Sequence, residues 1–434
     1  MKTTSHSVVL MFVAFFGIFV YGLLAALPGS VLPTLERGGF LPTDTAIGNF
    51  LLINAMGAVL AYLASGPIID RLGKRTALLL GALGIIAALA LFAVTVTRVE
   101  PRAALWLILG GAFLLGLGAN AIVSAGHALV AYVASSWRHA ALNLLDICFG
   151  LGLASLPLVV QVLQRRGGLG LIFWSLAGAG AVLLLLVLTS RFPAADHAET
   201  FPTHEAAHLL RHPRFWLLAA ALFMYVGAEV SVGKWVVTYI ERDAQLLAGM
   251  GLDASRLQEM ARPAPQGLSQ FFEQDAKGIE VATFALRTLS LFAFALLMGR
   301  LVSSVLLGLL KVDSLWLLAA GSAITVAALA VAFTTSDAGT VRWGLIATGF
   351  GMGPIFPTSV GLASVMAPRI AGTAMSLVMG VGFAGLLLIP PAVGYLSDAR
   401  GGDLRTGLLV VLAAAIVMLL LHIALALRPH DEHA

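Results

Sequence analysis

Charged residues are scarce in this sequence. Of its 434 residues, 11% are charged and 59% are apolar, whereas a soluble globular domain carries roughly 25% charged residues. This composition excludes an ordinary soluble domain and indicates a polytopic membrane protein. The net charge of +4 does not indicate a nucleic-acid partner, because the bases of a membrane protein lie in loops beside the bilayer. We therefore expect the lipid bilayer as the main partner and no nucleic acid.

Cysteine and the common enzyme motifs are also nearly absent. Cys148 is the single cysteine and lies in an apolar run, so no internal disulfide forms and a cysteine-ligated metal site is not expected. The hydrolase pattern G-x-S-x-G does not occur. The phosphate-binding pattern G-x-x-x-x-G-K-[ST] is also absent, which argues against ATP-driven transport by this chain. An H-E-x-x-H pattern runs from His204 to His208, but it lies in a polar stretch with no obvious third ligand. We expect no enzyme activity, no catalytic residue, no metal and no cofactor.

Twelve apolar runs have about the length of 20 residues that a helix needs to cross the hydrocarbon. They lie at 8–27, 45–66, 76–97, 104–127, 141–163, 169–190, 214–238, 281–299, 314–333, 342–366, 371–396 and 406–427. An even number of crossings places both termini on one side of the membrane. The pattern predicts an all-α membrane protein.

A polar stretch at 191–213 separates the first six runs from the last six. It predicts an N-terminal six-helix bundle at 1–190, a linker at 191–213 and a C-terminal six-helix bundle at 214–434. A second long polar stretch, 239–280, falls on the outer side of the predicted topology. It is either a lid over the outer mouth or a tolerated insertion, and we favour the insertion.

A dense group of charges lies between the second apolar run, 45–66, and the third, 76–97. The stretch Gly66-Pro67-Ile68-Ile69-Asp70-Arg71-Leu72-Gly73-Lys74-Arg75 holds one acid and three bases, which cannot enter hydrocarbon cheaply. It must be a loop at one membrane face, and Gly73 permits a tight turn there. The pattern G-x-x-x-D-R-x-G-K-R resembles the cytoplasmic loop between helices 2 and 3 of major facilitator superfamily transporters. The resemblance implies the twelve-helix major facilitator fold and a gate motif made by Gly66, Asp70, Arg71, Gly73 and Arg75.

The Lys/Arg balance does not decide the orientation of the chain. If the first helix starts inside, the inner and outer loops hold twelve bases each. The positive-inside rule therefore favours neither orientation. The resemblance of the 66–75 loop to a cytoplasmic motif implies that both termini are cytoplasmic. It also implies a multi-pass protein of the plasma membrane, the inner membrane in a bacterium.

Four further stretches are similar to the fucose–proton symporter branch of that superfamily, whose members carry sugars. They are Leu142–Leu145 running into Phe149–Gly152, Tyr225–Glu229, Gly353–Thr358 and Pro390–Tyr395. The resemblance implies transport of a sugar-like solute. In one respect the chain departs from the branch, because the fourth apolar run contains Asn120, Ser124 and His127 but no acid. A proton-coupling glutamate in that helix is therefore not available.

Few ionisable residues lie at membrane depth, and each must face a cavity or a partner. They are His127, Asp146, Glu229, Lys234 and Arg287. We predict that Glu229 pairs with Arg287 or Lys234, either as a pair that protonation or substrate breaks or as a permanent structural salt bridge. Glu229 and Asp146 are the candidates for proton coupling. For Asp146 the alternative is a gate carboxylate that pairs with Arg138 or with the bases at 71–75.

A neutral sugar is bound by amides, which donate and accept hydrogen bonds, and by a flat aromatic face. Asn54 and Asn120 are the predicted amides, and Trp235 is the predicted stacking ring. Glu229, Lys234 and Arg287 complete the predicted substrate-binding set. For each amide the alternative is a hydrogen bond between helices.

These observations favour a secondary transporter that works by alternating access, with its site between the two bundles. We predict a small neutral solute, a monosaccharide or polyol, with coupling to protons or sodium left open, and we expect a monomer. The alternative function is proton-driven export of amphipathic compounds. A third hypothesis is a non-transporting sensor or a membrane metalloprotease.

Overall fold

The computed structural model describes residues 2–134, 138–192, 209–252, 272, 275–367 and 371–427, and the regular structure in these residues is helical. The helices are α1 Lys2–Arg37, α2 Asp44–Arg98, α3 Pro101–Val133, α4 Arg138–Thr189, α5 Pro213–Arg242, α6 Ala244–Gly249, α7 Ala276–Gly308, α8 Ser314–Thr334, α9 Ala338–Met352, α10 Ile355–Met366, α11 Ala371–Ala384, α12 Ile389–Ala399 and α13 Leu404–Ala426. The prediction of an all-α protein is confirmed.

Eleven helical stretches of the described chain are long and apolar enough to cross a membrane. One of them, Leu144–Thr189, has 46 residues and would be roughly 69 Å long as a straight helix, about twice the 30 Å of hydrocarbon. Its backbone leaves helical geometry at Gly167 and Gly168, where φ is −163° and +62°. This break divides the stretch into two crossings, which gives the twelve crossings that the sequence predicts.

The tryptophans mark the ends of these crossings. Of the six tryptophans among the described residues, five are exposed and lie within the first six residues of an apolar helix or of the stretch after the Gly168 break. They are Trp106, Trp174, Trp216, Trp316 and Trp343. Tryptophan is enriched at membrane–water interfaces because its ring is apolar and its N–H is polar. The pattern indicates that the chain is an integral membrane protein.

Helix α2 folds back on itself at the turn predicted for Gly73. Gly73 has a φ of +87° and is the one non-helical residue inside α2. Residues on both sides of the turn contact the same part of α3, because a Cβ on Gly116 would lie 2.0 Å from Asn54 O and one on Gly118 would lie 2.7 Å from Ile85 N. Asn54 and Ile85 would be roughly 45 Å apart in a straight helix. The two halves of α2 are therefore neighbours, as the loop at 66–75 requires.

The described residues form two compact units. The first contains those of Met1–Glu199 and Ser255–Ser290, and the second contains those of Thr200–Ala254 and Leu291–Ala434. The division near residue 200 falls within the predicted linker at 191–213. The units differ from the predicted bundles in residues 255–290, since the first half of α7 belongs with the N-terminal helices. Two hydrogen bonds show this packing: Gln161 Nε2 donates to Thr283 Oγ1 at 2.8 Å, and Ser290 Oγ donates to Ala154 O.

The tenth and eleventh apolar runs are interrupted in the structure. Gly353 and Pro354 separate α9 from α10. A 3₁₀ turn at Gly385–Leu387 separates α11 from α12. The glycines also permit close packing, since a Cβ on Gly385 would lie 2.2 Å from Phe223 O.

Candidate functional site

A charged cluster at membrane depth lies within the second unit. Glu229 and Tyr225 are four residues apart on α5 and so share one helix face. The Glu229 carboxylate interacts with the Arg300 guanidinium of α7 and with the Tyr225 hydroxyl. That hydroxyl is buried close to both charged groups, although its contacts depart from ordinary hydrogen-bond geometry. We call Tyr225, Glu229 and Arg300 the charge cluster.

The charge cluster is not sealed in a dry core. Glu229 and Arg300 are half-buried, although Glu229 lies roughly 24 Å along a helix of about 45 Å, near the middle of the crossing. Glu229 therefore keeps accessible surface near the middle of the crossing. An ionisable residue at that depth of a membrane protein is a functional-site candidate.

Aromatic rings flank the charge cluster. The Phe356 ring centroid lies 6.4 Å from that of Tyr225 and 6.1 Å from that of Phe383. Phe356 and Phe383 are half-buried, so their rings keep accessible surface. The neighbourhood therefore combines a carboxylate, a guanidinium and flat apolar faces.

The helix break after α9 positions Arg300. A Cβ on Gly353 would lie 2.6 Å from Gly299 Cα and 2.7 Å from Arg300 N, so only glycine permits this approach of the two backbones. The contact between Gly353 and the backbone of Gly299 and Arg300 fixes the axial position of Arg300 on α7 relative to the start of α10. Because Phe356 follows the same break by three residues, the break places the guanidinium and the ring in one neighbourhood.

The structure gives Glu229 a different partner from those predicted. The cation that interacts with Glu229 is Arg300, which the sequence analysis assigned to a loop because it ended the eighth run at residue 299. Arg287 is exposed and belongs to the first unit. Lys234 is buried at 8% exposure. The sequence analysis did not predict Arg300 as a partner, because α7 continues as a helix to Gly308. Pairing of Glu229 with Arg287 or Lys234 stays a prediction.

Trp235 does not offer the stacking face predicted for it. Its side chain is fully buried, and its indole N–H donates to Pro390 O at 3.0 Å. The ring therefore packs α5 against α12, and no accessible face is left for a substrate in this conformation.

The predicted amides in the first unit bind neighbouring carbonyls. Asn54 Nδ2 donates to Ala112 O at 2.9 Å, which joins α2 to α3. Asn120 is buried, and its Nδ2 donates to Gly116 O of its own helix at 2.8 Å. These bonds fit the alternative that the amides stabilise helix packing. The Asn120 Oδ1 atom still accepts a long bond of 3.5 Å from the Tyr21 hydroxyl.

Asp146 lies next to His127. Its Oδ1 is 3.9 Å from His127 Nε2, and both side chains keep more than 40% of their surface accessible. His127 Nδ1 contacts Val123 O at 2.9 Å. The sequence singled out both residues but did not predict that they meet. The role of Asp146 in proton coupling stays a prediction.

Two bases of the 66–75 loop contact neighbouring helices of the first unit. Lys74 Nζ lies 4.6 Å above the Tyr132 ring. Arg75 Nη2 donates at 2.9 Å to Leu188 O, which is one of the last carbonyls of α4. A cation at a helix C-terminus satisfies a carbonyl that has no partner within the helix. Their part in gating stays a prediction.

Several predictions concern side chains or residues outside the described part of the structure. The side chains of Asp70 and Arg138 and the H-E-x-x-H pattern at 204–208 are among them.

Sequence reasoning missed a buried histidine as well as Arg300. His422 in α13 is fully buried, and its Nδ1 lies 2.7 Å from Ser322 Oγ of α8. His422 and Ser322 lie within the apolar runs 406–427 and 314–333, where a single polar residue hardly changes the average hydropathy. The half-buried rings of Tyr21, Tyr62 and Phe149 were also missed, since no spacing rule distinguishes them from lipid-facing aromatics.

Twelve crossings and an acid–base cluster at membrane depth define a polytopic helical membrane protein with an ionisable site in its interior. The sequence model of the Major Facilitator Superfamily matches residues 14–254, which is more than half of the chain. The protein therefore belongs to the Major Facilitator Superfamily. No curated protein matches the sequence.

Solved structures of low sequence identity share the fold. The nucleoside transporter NupG superposes with a TM-score of 0.72 at 15% identity, covering 96% of this chain and 99% of its own. A D-xylose–proton symporter gives a TM-score of 0.69 at 13% identity, covering 95% and 97%. The E. coli fucose:proton symporter FucP gives 0.61 at 16% identity, covering 97% and 99%. These likenesses confirm the major facilitator fold and the predicted resemblance to sugar symporters.

Proposed function

We propose that the protein is a proton-coupled secondary transporter of a small neutral solute with a sugar moiety, either a monosaccharide or a nucleoside. The observation that carries this proposal is the half-buried Glu229 beside Arg300 near the middle of α5. Structurally similar proteins that carry D-xylose, fucose and nucleosides support the solute class. The superfamily match supports transport rather than catalysis.

The charge cluster can couple a proton to a conformational change. Ionised Glu229 attracts the Arg300 guanidinium, and protonation of the carboxyl removes that attraction. Arg300 is then left to other acceptors, including solute hydroxyls. Because a guanidinium stays charged in proteins, the protonation state of Glu229 alone switches the pair.

The solute class follows from the chemistry of the surrounding rings. A sugar has polar edges and an apolar face, so it fits a site that combines a charged hydrogen-bond group with aromatic surface. Phe356 and Phe383 supply that surface in the second unit. With the 66–75 loop in the cytoplasm, as its motif implies, an inward proton gradient would drive uptake.

Uptake by purified protein in liposomes tests this function. Labelled D-xylose and uridine are offered with an inward proton gradient, with an inward sodium gradient, or with neither. We expect accumulation of at least one probe under the proton gradient and its loss on adding a protonophore. Accumulation driven only by sodium, or uptake of neither probe, contradicts the proposal.

Export of amphipathic compounds is the second candidate, because one acid beside Phe356 and Phe383 also suits a large apolar cation. The same liposomes distinguish the two functions. Proton-driven extrusion of a lipophilic cation, without uptake of D-xylose or uridine, would establish export instead.

A further inference from the structure

A second group of rings and hydroxyls lies in the first unit. The rings of Tyr21 in α1 and Phe149 in α4 stack with centroids 5.3 Å apart and an interplanar angle of 27°. The Tyr62 hydroxyl of α2 interacts with that of Tyr21. All three side chains are half-buried, although protein atoms surround the Tyr62 hydroxyl. The three residues therefore keep accessible surface that a solute can contact.

The hydroxyls form an ordered chain. Asn120 Nδ2 donates to Gly116 O, so its amide orientation is fixed and Oδ1 must act as the acceptor. Tyr21 therefore donates its hydroxyl hydrogen to Asn120 Oδ1 at 3.5 Å. Because the Tyr21 hydrogen is directed to Asn120, the interaction between the two phenol groups leaves Tyr62 as the group that can donate to the Tyr21 oxygen. Asn120 acts as a positioning residue, and the phenol oxygens are the groups that a solute hydroxyl can reach.

Helix packing holds this group in place. A Cβ on Gly22 would lie 2.2 Å from Phe149 O, and one on Gly152 would lie 2.3 Å from Phe19 O. Small residues let α1 and α4 approach closely. The ring pair Tyr21 and Phe149 is thus carried by two helices that cannot shift independently, which suits recognition of a ligand shape.

We propose that Tyr21, Tyr62 and Phe149 form a subsite of the first unit that selects the ring form of a sugar over an open-chain polyol. This inference rests on the proposed function and narrows its solute class. A cyclic sugar presents a flat C–H face to the aromatic ring pair while its hydroxyls reach the phenol oxygens. A flexible polyol has no such face and loses more conformational entropy when it is ordered against a ring.

A free monosaccharide and the ribose of a nucleoside offer the same ring chemistry. The nucleoside adds a planar base, which stacks on aromatic rings by itself. Including D-xylose and uridine as separate probes therefore distinguishes a free monosaccharide from a nucleoside.

Binding to the purified, full-length protein tests the subsite independently of transport. Dissociation constants for D-xylose, xylitol and uridine are measured on the wild type, Phe149→Leu and Tyr21→Phe. The control is Phe12→Leu, which alters an exposed ring on the same helix as Tyr21. We expect Phe149→Leu to weaken D-xylose or uridine binding about three- to tenfold, as loss of an aromatic contact does. Xylitol should bind the wild type less tightly than D-xylose does. Its dissociation constant should change less than about twofold in Phe149→Leu.

Tyr21→Phe keeps the ring and removes one hydroxyl, so binding should weaken about two- to tenfold, as for one neutral hydrogen bond. Wild-type affinity in both variants overturns the subsite, and so does an equal loss for the cyclic and the open-chain probe. Failure of the wild type to bind any probe overturns the subsite together with the proposed solute class. Intact selective binding without proton-driven uptake would contradict only the coupling part of the proposed function.

Discussion

The two units of the protein place different chemistry at membrane depth. In the first unit, Tyr21, Tyr62 and Asn120 are uncharged and form a hydrogen-bonded chain. In the second, Glu229 and Arg300 carry opposite charges. Neutral hydrogen bonds do not change with pH, whereas a carboxylate–guanidinium attraction disappears on protonation. In our proposals, Tyr21, Tyr62 and Phe149 of the first unit select the ring form of the solute, and Glu229 of the second unit responds to protons.

The largest expected effect comes from removing the base of the charge cluster. Arg300→Ala leaves Glu229 without its cation, and loss of one partner of a buried pair costs about 3–5 kcal/mol. We expect a more than tenfold loss of transport and a lower melting temperature. Arg287→Ala is the matched control, since Arg287 is exposed and surface changes are usually within about 0.5 kcal/mol. A larger effect at Arg287 would restore the pairing predicted from sequence.

A smaller effect is expected from moving Arg300 without removing it. Gly353→Ala places a Cβ 2.6 Å from Gly299 Cα, and such overpacking costs about 1–3 kcal/mol. Its result should be a lower transport rate with an altered pH profile. Gly361→Ala is the control, because a Cβ there meets open space. Equal rates and pH profiles in the two variants would show that the break does not position Arg300.

The corresponding change in the first unit should alter affinity and leave the pH dependence unchanged. Gly22→Ala places a Cβ 2.2 Å from Phe149 O and so displaces Phe149 from Tyr21. We expect a KM for the solute that is raised about threefold or more with the wild-type pH profile. Gly110→Ala, which meets open space, is the control. A shifted pH profile in Gly22→Ala would contradict the division of roles between the units.

The smallest expected effect concerns stability alone. Asp403 caps α13 by accepting the Arg405 and Thr406 N–H groups, and the Thr406 hydroxyl also donates to it. These hydrogen bonds, first that of the Thr406 hydroxyl, hold the pKa of Asp403 below its ordinary value of 3.8. The stabilisation is thus present above that ordinary pKa and is lost as the pH falls through the lowered one.

Asp403→Ala should lower the free energy of unfolding by about 0.5–1 kcal/mol at neutral pH. This is the lower part of the range for a helix cap, because Asp403 is exposed. Thermal unfolding in detergent measures the difference, which should shrink as the pH falls below 4. Asp403→Asn retains a capping oxygen and should lose less. Transport should be unchanged in both variants, because the cap lies outside the charge cluster.

Local features of the chain predicted much of the fold. Apolar runs of spanning length and a charged stretch containing Gly73 were enough for the crossings and the turn in α2, since hydrophobic length and glycine conformation are local properties. The break at Gly353 and Pro354 was predictable for the same reason. The assignment of residues 255–290 to the first unit was not, because it depends on packing between distant segments.

The candidate site was predicted only in part. Glu229 was identified because an acid inside an apolar run is conspicuous. Its partner was missed because Arg300 looked like a loop residue, and the contact joins positions 71 residues apart. Trp235 was assigned to the substrate because sequence does not show which face of a buried helix meets a cavity. Asn54 and Asn120 were correctly recognised as polar groups at depth, but their carbonyl partners depend on the packing of α2 and α3.

Glu229→Gln tests the central claim most directly. The substitution keeps the shape and hydrogen-bonding capacity of the side chain and removes its charge, so the switch can no longer respond to protons. Proton-driven accumulation and solute counterflow are measured on the same purified variant in liposomes, with Arg287→Gln as the control. We predict that accumulation is abolished while counterflow continues. Proton-driven accumulation at the wild-type level in Glu229→Gln would contradict the assignment of Glu229 as the coupling residue.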